Sequence, residues 1–369
     1  MKLLFDLSSN KTIYDGVTIY ALRILKGFKE HQYKNIIILS NPAIYEYIQQ
    51  NFAEYIHIKA AINNENGSLL KNGWIWFQQI RHIDCDIIFS PNPYLTYFTT
   101  KKIIQTIHDL QALKVYKGKS LWAFRILLPF VLIRSHKIIS ITDFVKNEIK
   151  QRYPFINSKK IQTIANCVIV DKTKYTTPPI NNKYLLYVST LWEYKNIFTL
   201  LEAFNFLKKD IPHKLVIIGK PMDEYWENVC IPYIKKEKLE TRIIHINKPI
   251  SDQELAQYYQ FADIFIHPSL MEGFGYTPIE AAIHETPVLT TKETALYEST
   301  MGLLNYYEPA TSSDVLATNI QKLLANRPTK KELEHISETL LNQYDYYKQA
   351  EKVYNFLLTN SNDYNESIS

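Results

Sequence analysis

The chain has 369 residues, 46% apolar and 21% charged, proportions of a folded globular protein and more than one core usually organises, so two domains are expected. The net charge of +5 hides an asymmetry: residues 1–175 carry 24 Lys/Arg against 12 Asp/Glu, and residues 176–369 carry 18 against 25. Three separated cysteines and no bilayer-length apolar run exclude a disulfide scaffold, a zinc module and an integral membrane protein.

In chain order, Lys2–Asp6 reads as a strand, Ser8–Gly16 as a turn and Val17–Phe28 as a helix. The alternation recurs with strand Asn35–Leu39 and helix Pro42–Asn51, then strands Asp86–Phe89 and Lys102–Ile107. Helix Leu121–Ser135 and strand Lys137–Ile141 follow, then a helix capped by Asp143 and running to Arg152, and strand Lys160–Ile164. Strands alternating with helices predict a parallel sheet covered on both faces. Thr176–Asn182, with two prolines and two asparagines, is the linker candidate.

After it the pattern restarts: strand Tyr184–Val188, helix Asn196–Lys208, strand Lys214–Ile218, helix Asp223–Lys236 and strand Arg242–Ile246. Helix Asp252–Tyr259, strand Asp263–His267, helix Pro278–His284 and strand Pro287–Thr290 come next, and Asp314–Ala325 and Lys330–Leu358 have helical patterns. The expected fold is α/β, with two Rossmann-like domains facing each other across a cleft. The expected domains are 1–175 and 183–344, with 345–369 a helix packing back on the first.

The chemistry concentrates in residues 262–282. There a strand ends at His267, a loop carries Glu272-Gly273-Phe274-Gly275, and a helix starts near Thr277-Pro278. The chain has only 9 glycines, and two of them bracket one phenylalanine here. Backbone amides beside a helix N-terminus suit a pyrophosphate or sugar hydroxyl. Glu272 and Glu280 can face one ligand together, Glu280 accepting hydrogen bonds from a ribose diol.

These residues, His-Pro-Ser-x-x-Glu-Gly-Phe-Gly-x-x-Pro-x-Glu-Ala, resemble the signature of the retaining GT-B glycosyltransferases of family 4. Pro287-Val-Leu-Thr, Ala295–Glu298, Tyr187–Asn196, Ile164–Ile169, Ile107–Leu110 and Asp15–Tyr20 extend the resemblance in order along most of the chain. The resemblance implies that Lys195 neutralises the donor diphosphate, that His108 contacts the transferred sugar, and that Glu272 holds its hydroxyls. Gly273, Phe274, Gly275, Tyr276 and Thr277 would offer contacts to sugar and diphosphate. Glu280 would hold the ribose, and Gly219, Ser189, Lys248 and Ile250 would lie around the nucleotide. Asp15 and Gly16 would face the acceptor. The family often has an arginine near Lys195; those places hold Thr190 and Tyr194, which implies either weaker leaving-group stabilisation or a cation supplied from elsewhere, such as Lys248 or Lys220. Ser189 and Cys167 stand where relatives usually have glycine.

Two features compete with this reading. Asp84-Cys-Asp86 spells a metal motif, but it precedes a strand, where capping and turn formation account for it; no metal is expected. The apolar helix 121–133, flanked by Lys114, Lys117, Lys119, Arg134 and Lys137, is either buried or a membrane-surface element, and the lack of a clean polar face favours burial.

The expected function is a metal-independent, retaining hexosyltransferase in cell-surface polysaccharide synthesis. It would need no cofactor, using a UDP- or GDP-sugar as co-substrate and a glycan or lipid-linked acceptor. The basic first half suits an anionic membrane surface as well as it suits solvated lysine, and no nucleic-acid module is present. A cytoplasmic protein, peripheral on the inner face of the plasma membrane, is expected. The rivals are a GT-B phosphorylase or epimerase, and a degenerate nucleotide-sugar-binding homologue.

Overall fold

The computed structural model describes residues 1–62, 69–92, 96, 98–115 and 118–361. These divide into two compact units, one formed by Met1–Ile169 with the C-terminal segment from Tyr344, the other by Val170–Gln343. Each has its own all-parallel sheet.

In the first unit the strands are β1 (Leu3–Leu7), β2 (Ile36–Ser40), β3 (Ile56–Lys59), β4 (Ile87–Ser90), β5 (Ile103–Ile107), β6 (Lys137–Ser140) and β7 (Ile161–Thr163). Their order across the sheet is β3-β2-β1-β4-β5-β6-β7. The helices are α1 (Gly16–Glu30), α2 (Tyr45–Asn51), α3 (Leu69–Ile80), α4 (Ala112–Val115), α5 (Gly118–Arg134) and α6 (Asp143–Arg152). Every residue of β1 and of β5 is buried. This is why parallel strands, covered on both faces, appear as unbroken apolar runs.

In the second unit the strands are β8 (Tyr184–Val188), β9 (Lys214–Ile218), β10 (Ile243–Ile246), β11 (Ile264–His267), β12 (Val288–Thr291) and β13 (Asn305–Tyr307), in the order β10-β9-β8-β11-β12-β13. The helices are α7 (Ile197–Leu207), α8 (Ile231–Lys236), α9 (Asp252–Phe261), α10 (Tyr276–Ile283), α11 (Leu296–Ser299), α12 (Ser313–Ala325) and α13 (Lys330–Gln343). Both sheets therefore reverse strand order once, between β1 and β4 and between β8 and β11, the arrangement that creates a ligand crevice at the strands' carboxyl ends.

Several details differ from the sequence expectation. The helical pattern 330–358 is two helices, α13 and α14 (Tyr346–Ser361), broken at Tyr344-Asp345. At that break Tyr344 accepts a backbone hydrogen bond from Val168 at 2.8 Å, so the chain crosses back to the first unit there. Segment 176–182 lies within the second unit rather than between units. The chain just before it is already tied in, with Tyr175 donating its amide to Gln260 and Lys174 pairing with Glu285. Thr142, not Asp143, caps α6, its hydroxyl accepting from the Val145 amide at 3.2 Å. Asp84 pairs with Lys2, and Asp86 accepts the Lys2 amide at 2.6 Å, so both carboxylates stabilise the start of β1.

The C-terminal helix is part of the first core. Ala350, Val353 and Leu357 of α14 are fully buried against Tyr20, Ala21, Ile24, Leu25 and Phe28 of α1. The spacing of those three residues places them on one face of the helix. Tyr346 donates its hydroxyl to Glu30, and Lys102 reaches the carbonyl of Ser361. Leu357→Ala should therefore cost about 2–4 kcal/mol, the usual penalty for emptying a closed apolar site; denaturant unfolding checks it.

Candidate active site

The second unit's strand reversal brings together the connections that leave β8 and β11. After β8 the chain makes a short turn, Glu193–Lys195, and Asn196 then takes a left-handed conformation (φ 59°) before α7. Asn196 fixes the turn through its side chain. Its amide donates to the carbonyls of Pro268 (3.0 Å) and Ala310 (2.9 Å), and its oxygen accepts from Thr199. Leu270 completes the tie by donating its amide to the Tyr194 carbonyl at 2.9 Å. The β8 turn and the β11 loop thus form one rigid piece.

Within that piece the Lys195 ammonium donates to Glu272 Oε1 at 2.7 Å, and His267 Nε2 donates to the same oxygen at 2.8 Å. The side chains of Lys195 and Glu272 are only 12% and 10% exposed. Burial by itself would raise the Glu272 carboxyl. The Lys195 charge and the His267 hydrogen bond outweigh it and bring the group down to about 2. Lys195 also lies 5.1 Å from the centroid of the Tyr194 ring, so the aromatic that occupies an expected arginine position gives this cation a face to rest on.

His267, the last residue of β11, was not expected to take part, although it stood in the motif. It is buried, and its second nitrogen, Nδ1, is 3.4 Å from Thr277 Oγ1 at the start of α10. Because a carboxylate only accepts, Nε2 carries the proton, and the Thr277 hydroxyl faces the other nitrogen. Thr294, in the left-handed region (φ 53°), accepts the Glu272 amide at 2.9 Å. Asn196 and Thr294 are further supports that residue type alone did not single out.

Gly275 caps α10 with φ 82°, and a Cβ there would lie 2.6 Å from Leu296 Cδ2; only glycine satisfies both constraints. Gly273 and Phe274 are buried in the same loop, with the Phe274 ring in edge contact with Tyr276. Glu280 is half-buried on α10. Gly219, after β9, meets the Ser189 backbone so closely that a Cβ would fall 1.8 Å from the Ser189 carbonyl oxygen. Lys220 and Lys248 are exposed after β9 and β10, and Ile250 is half-buried.

Three expected residues lie in the first unit. His108 follows β5, where its Nε2 donates to the Pro91 carbonyl at 3.0 Å and the Tyr20 ring packs edge-on against it. Burial outweighs that hydrogen bond and lowers the imidazole to about 4, so His108 is neutral at pH 7 with Nδ1 unprotonated. Asp15 caps α1, with one carboxylate oxygen accepting the Thr18 amide and the other the Thr18 hydroxyl, both at 2.8 Å. Gly16, the first residue of α1, is exposed.

Residues 14–172 match the family model described as Glycosyltransferase Family 4, and residues 172–339 match Glycosyl transferases group 1. The O-antigen chain mannosyltransferase RfbU of Salmonella typhimurium is 26% identical over 201 residues, 52% of this chain and 53% of that protein. The capsular polysaccharide biosynthesis glycosyltransferase CapM of Staphylococcus aureus is 22% identical over 278 residues, 70% of this chain and 71% of that one. The matched segments thus span about half the length of the first of these relatives. Among solved structures, a glycosyltransferase from Rickettsia africae superimposes with TM-score 0.76 at 21% identity, covering 98% of each chain. Anabaena HepE in complex with UDP and glucose gives TM-score 0.76 at 14% identity, covering 97% of this chain and all of that one.

The carboxylate geometry has a pH signature. Stability from the depressed Glu272 group is complete above the ordinary carboxyl value of 4.5 and is lost only as the pH falls through about 2. In Lys195→Met, carbon-13 NMR of the glutamate carboxyls should find Glu272 titrating well above 2. An unmoved titration would show that Lys195 does not hold it.

Proposed function

The chain belongs to the group 1 glycosyltransferases of family 4, and from that premise we propose that it transfers a hexose from a nucleoside diphosphate sugar to a glycan or lipid-linked acceptor in cell-surface polysaccharide synthesis. The observation that carries this reading is the ionised Glu272. Its Oε1 is taken by Lys195 and His267, and no donor is paired with Oε2 among the described residues. A carboxylate held in this way offers one fixed acceptor to sugar hydroxyls.

In this proposal Lys195 exchanges part of its contact with Glu272 for the donor's diphosphate, meeting the charge that develops as the leaving group departs. Lys195 would do so without an obligatory metal, helped by Lys220 or Lys248. Buried amides of Gly273 to Gly275 and the start of α10, with Tyr276 and Thr277, would face the sugar and diphosphate. Glu280 would accept from the ribose hydroxyls, and Gly219, Ser189 and Ile250 would border the base.

Transfer would be retaining. The bond from the anomeric carbon to the phosphate oxygen breaks, and the acceptor oxygen bonds to the same face. The acceptor proton passes to the departing phosphate, so no protein base is required. His108, neutral and with Nδ1 open to accept, would meet the transferred sugar, while Asp15 and Gly16 would border the acceptor. RfbU and CapM, named for O-antigen and capsule synthesis, support the polymer class, and HepE, solved with UDP and glucose, supports a nucleotide sugar. UDP- and GDP-sugars are the two donor classes to separate.

A panel of UDP- and GDP-sugars, read by nucleotide release, identifies the donor. With that donor, Glu272→Ala and Lys195→Ala should each lower turnover by about 10²–10³-fold, the scale of a removed electrostatic contact to a transition state. Turnover that survives both changes would remove this assignment. A phosphate-dependent reaction, or epimerisation without an acceptor, would move the chain to a different chemistry on the same scaffold.

A further inference from the structure

The first unit holds a cavity of about 660 Å³ at the amino ends of β2 and β3, the opposite end of the strands from the crevice. Sites that take up small ligands have volumes of about 300–1,000 Å³. Ile36 and Ile56, the first residues of those two strands, line it together with Tyr33 and Tyr55. The Tyr33 ring is fixed by stacking on Tyr354 of α14 at 3.6 Å and by edge contact with Phe28. Ile56 is 61% exposed at the start of an edge strand.

Three features separate this cavity from an ordinary surface depression. Tyr55 is 8% exposed, and its buried hydroxyl has no hydrogen-bond partner among the described residues. Leaving such a group unpaired is costly, and a ligand hydroxyl would relieve it. Gln32 and Asn35, both in the lining, have left-handed backbone, with φ 57° and 61°. That conformation suits asparagine but is uncommon for glutamine, and such strain concentrates at ligand sites. The charges, finally, are balanced rather than gathered. Lys29 is paired with Glu54 at 3.3 Å and donates to the Asn51 carbonyl at 2.7 Å. Lys34 is then the one lysine of the lining without an ion pair among the described residues.

We propose that this cavity binds a neutral oligosaccharide, with Tyr33, Ile36 and Ile56 meeting the carbon faces of sugar rings and Gln32, Asn35, Glu54 and the Tyr55 hydroxyl meeting their hydroxyl groups. A sugar ring has apolar C–H faces and an edge of groups that both donate and accept. The lining offers the counterpart of each, in carbon walls bordered by amides, a carboxylate and a phenol. An anionic ligand would find Lys34 alone and the Glu54 carboxylate opposing it. A purely apolar ligand would leave the Tyr55 hydroxyl unpaired. A second copy pairing along β3 would meet Lys59, exposed at the end of that strand, a charge of the kind that guards sheet edges. The inference rests on the glycan-acceptor reading for its purpose, since a second hold on the polymer raises the effective concentration of its end at the first unit's crevice.

The test is binding of the full chain to an array of neutral oligosaccharides of glucose, galactose, mannose and N-acetylglucosamine, followed by calorimetry with the strongest ligand. The wild type should bind at least one of them, with little dependence on salt. Tyr55→Phe removes only the unpaired hydroxyl and should weaken binding about three- to tenfold, the worth of one hydrogen bond, while the unfolding temperature stays or rises. Gln32→Gly removes the amide and relieves the left-handed backbone, and the same two outcomes are expected of it. Lost binding without lost stability is a response that a merely structural role does not give. An array without a ligand, or variants that bind as the wild type does, would overturn the proposal. So would a wild-type dimer that Ile56→Lys dissolves, since the wall would then be a self-interface. Nucleotide release by the wild type with the donor panel tests the proposed function separately; its absence would count against that function and leave the oligosaccharide result standing.

Discussion

The second unit's chemistry depends on a carboxylate buried beside the cation that keeps it charged. Glu272 lies where burial penalises ionisation, and it is ionised because Lys195 and His267 both donate to one of its oxygens. The three groups come from different places: the turn after β8, the last residue of β11, and the loop before α10. Their meeting requires those elements to be locked together. Asn196 and Leu270 lock the first connection to the second, and Thr294 holds the amide of Glu272 itself. A chain that loosened any of these ties would leave a partly buried charge without its partner, a costly state.

The same arrangement accounts for where glycine is kept. Gly275 must be left-handed and must also clear Leu296, while Gly219 must let its backbone meet that of Ser189. Both constraints belong to the carboxyl edge of the second sheet. Ser189 itself departs from the family's usual glycine, and the structure accommodates it because the close contact is with the Ser189 main chain, while its neighbour Gly219 lacks the conflicting Cβ.

Much of this was legible because buried parallel strands write themselves as apolar runs. Tyr184–Val188 and Lys214–Ile218 have the expected bounds, and the loop from Glu272 to Thr277 is a contiguous motif. What escaped the sequence has physical reasons. Strand β3 lies at the sheet edge with Ile56 exposed, and four residues there carry no buried run; β13, three residues long at the other sheet's edge, is equally silent. The break at Tyr344-Asp345 falls inside a continuous helical pattern, and only the tertiary contact with Val168 marks it. The pairing of Lys195 with Glu272 joins residues far apart in sequence, so separate roles could be assigned to them but not their contact. His267 was visible as a strand-end histidine five residues before Glu272, yet spacing alone does not say that its ring turns toward the carboxylate. In α5 composition showed that the helix was apolar all round, but not that Trp122, Ile126, Phe130 and Ile133 are exposed while Phe124, Leu128, Val131 and Leu132 are buried; of the cations flanking it, Lys117 and the Lys119 side chain lie outside the described residues.

In the proposed function Glu272, held ionised by Lys195 and His267, is the group that would recognise the sugar of the donor. The most direct measurement is calorimetric binding of the donor nucleotide sugar and of the bare nucleoside diphosphate to the wild type and to Glu272→Gln. The account predicts that the sugar adds affinity in the wild type and that this increment disappears in the variant, while binding of the bare nucleotide persists. An increment of the same size in both proteins would contradict it.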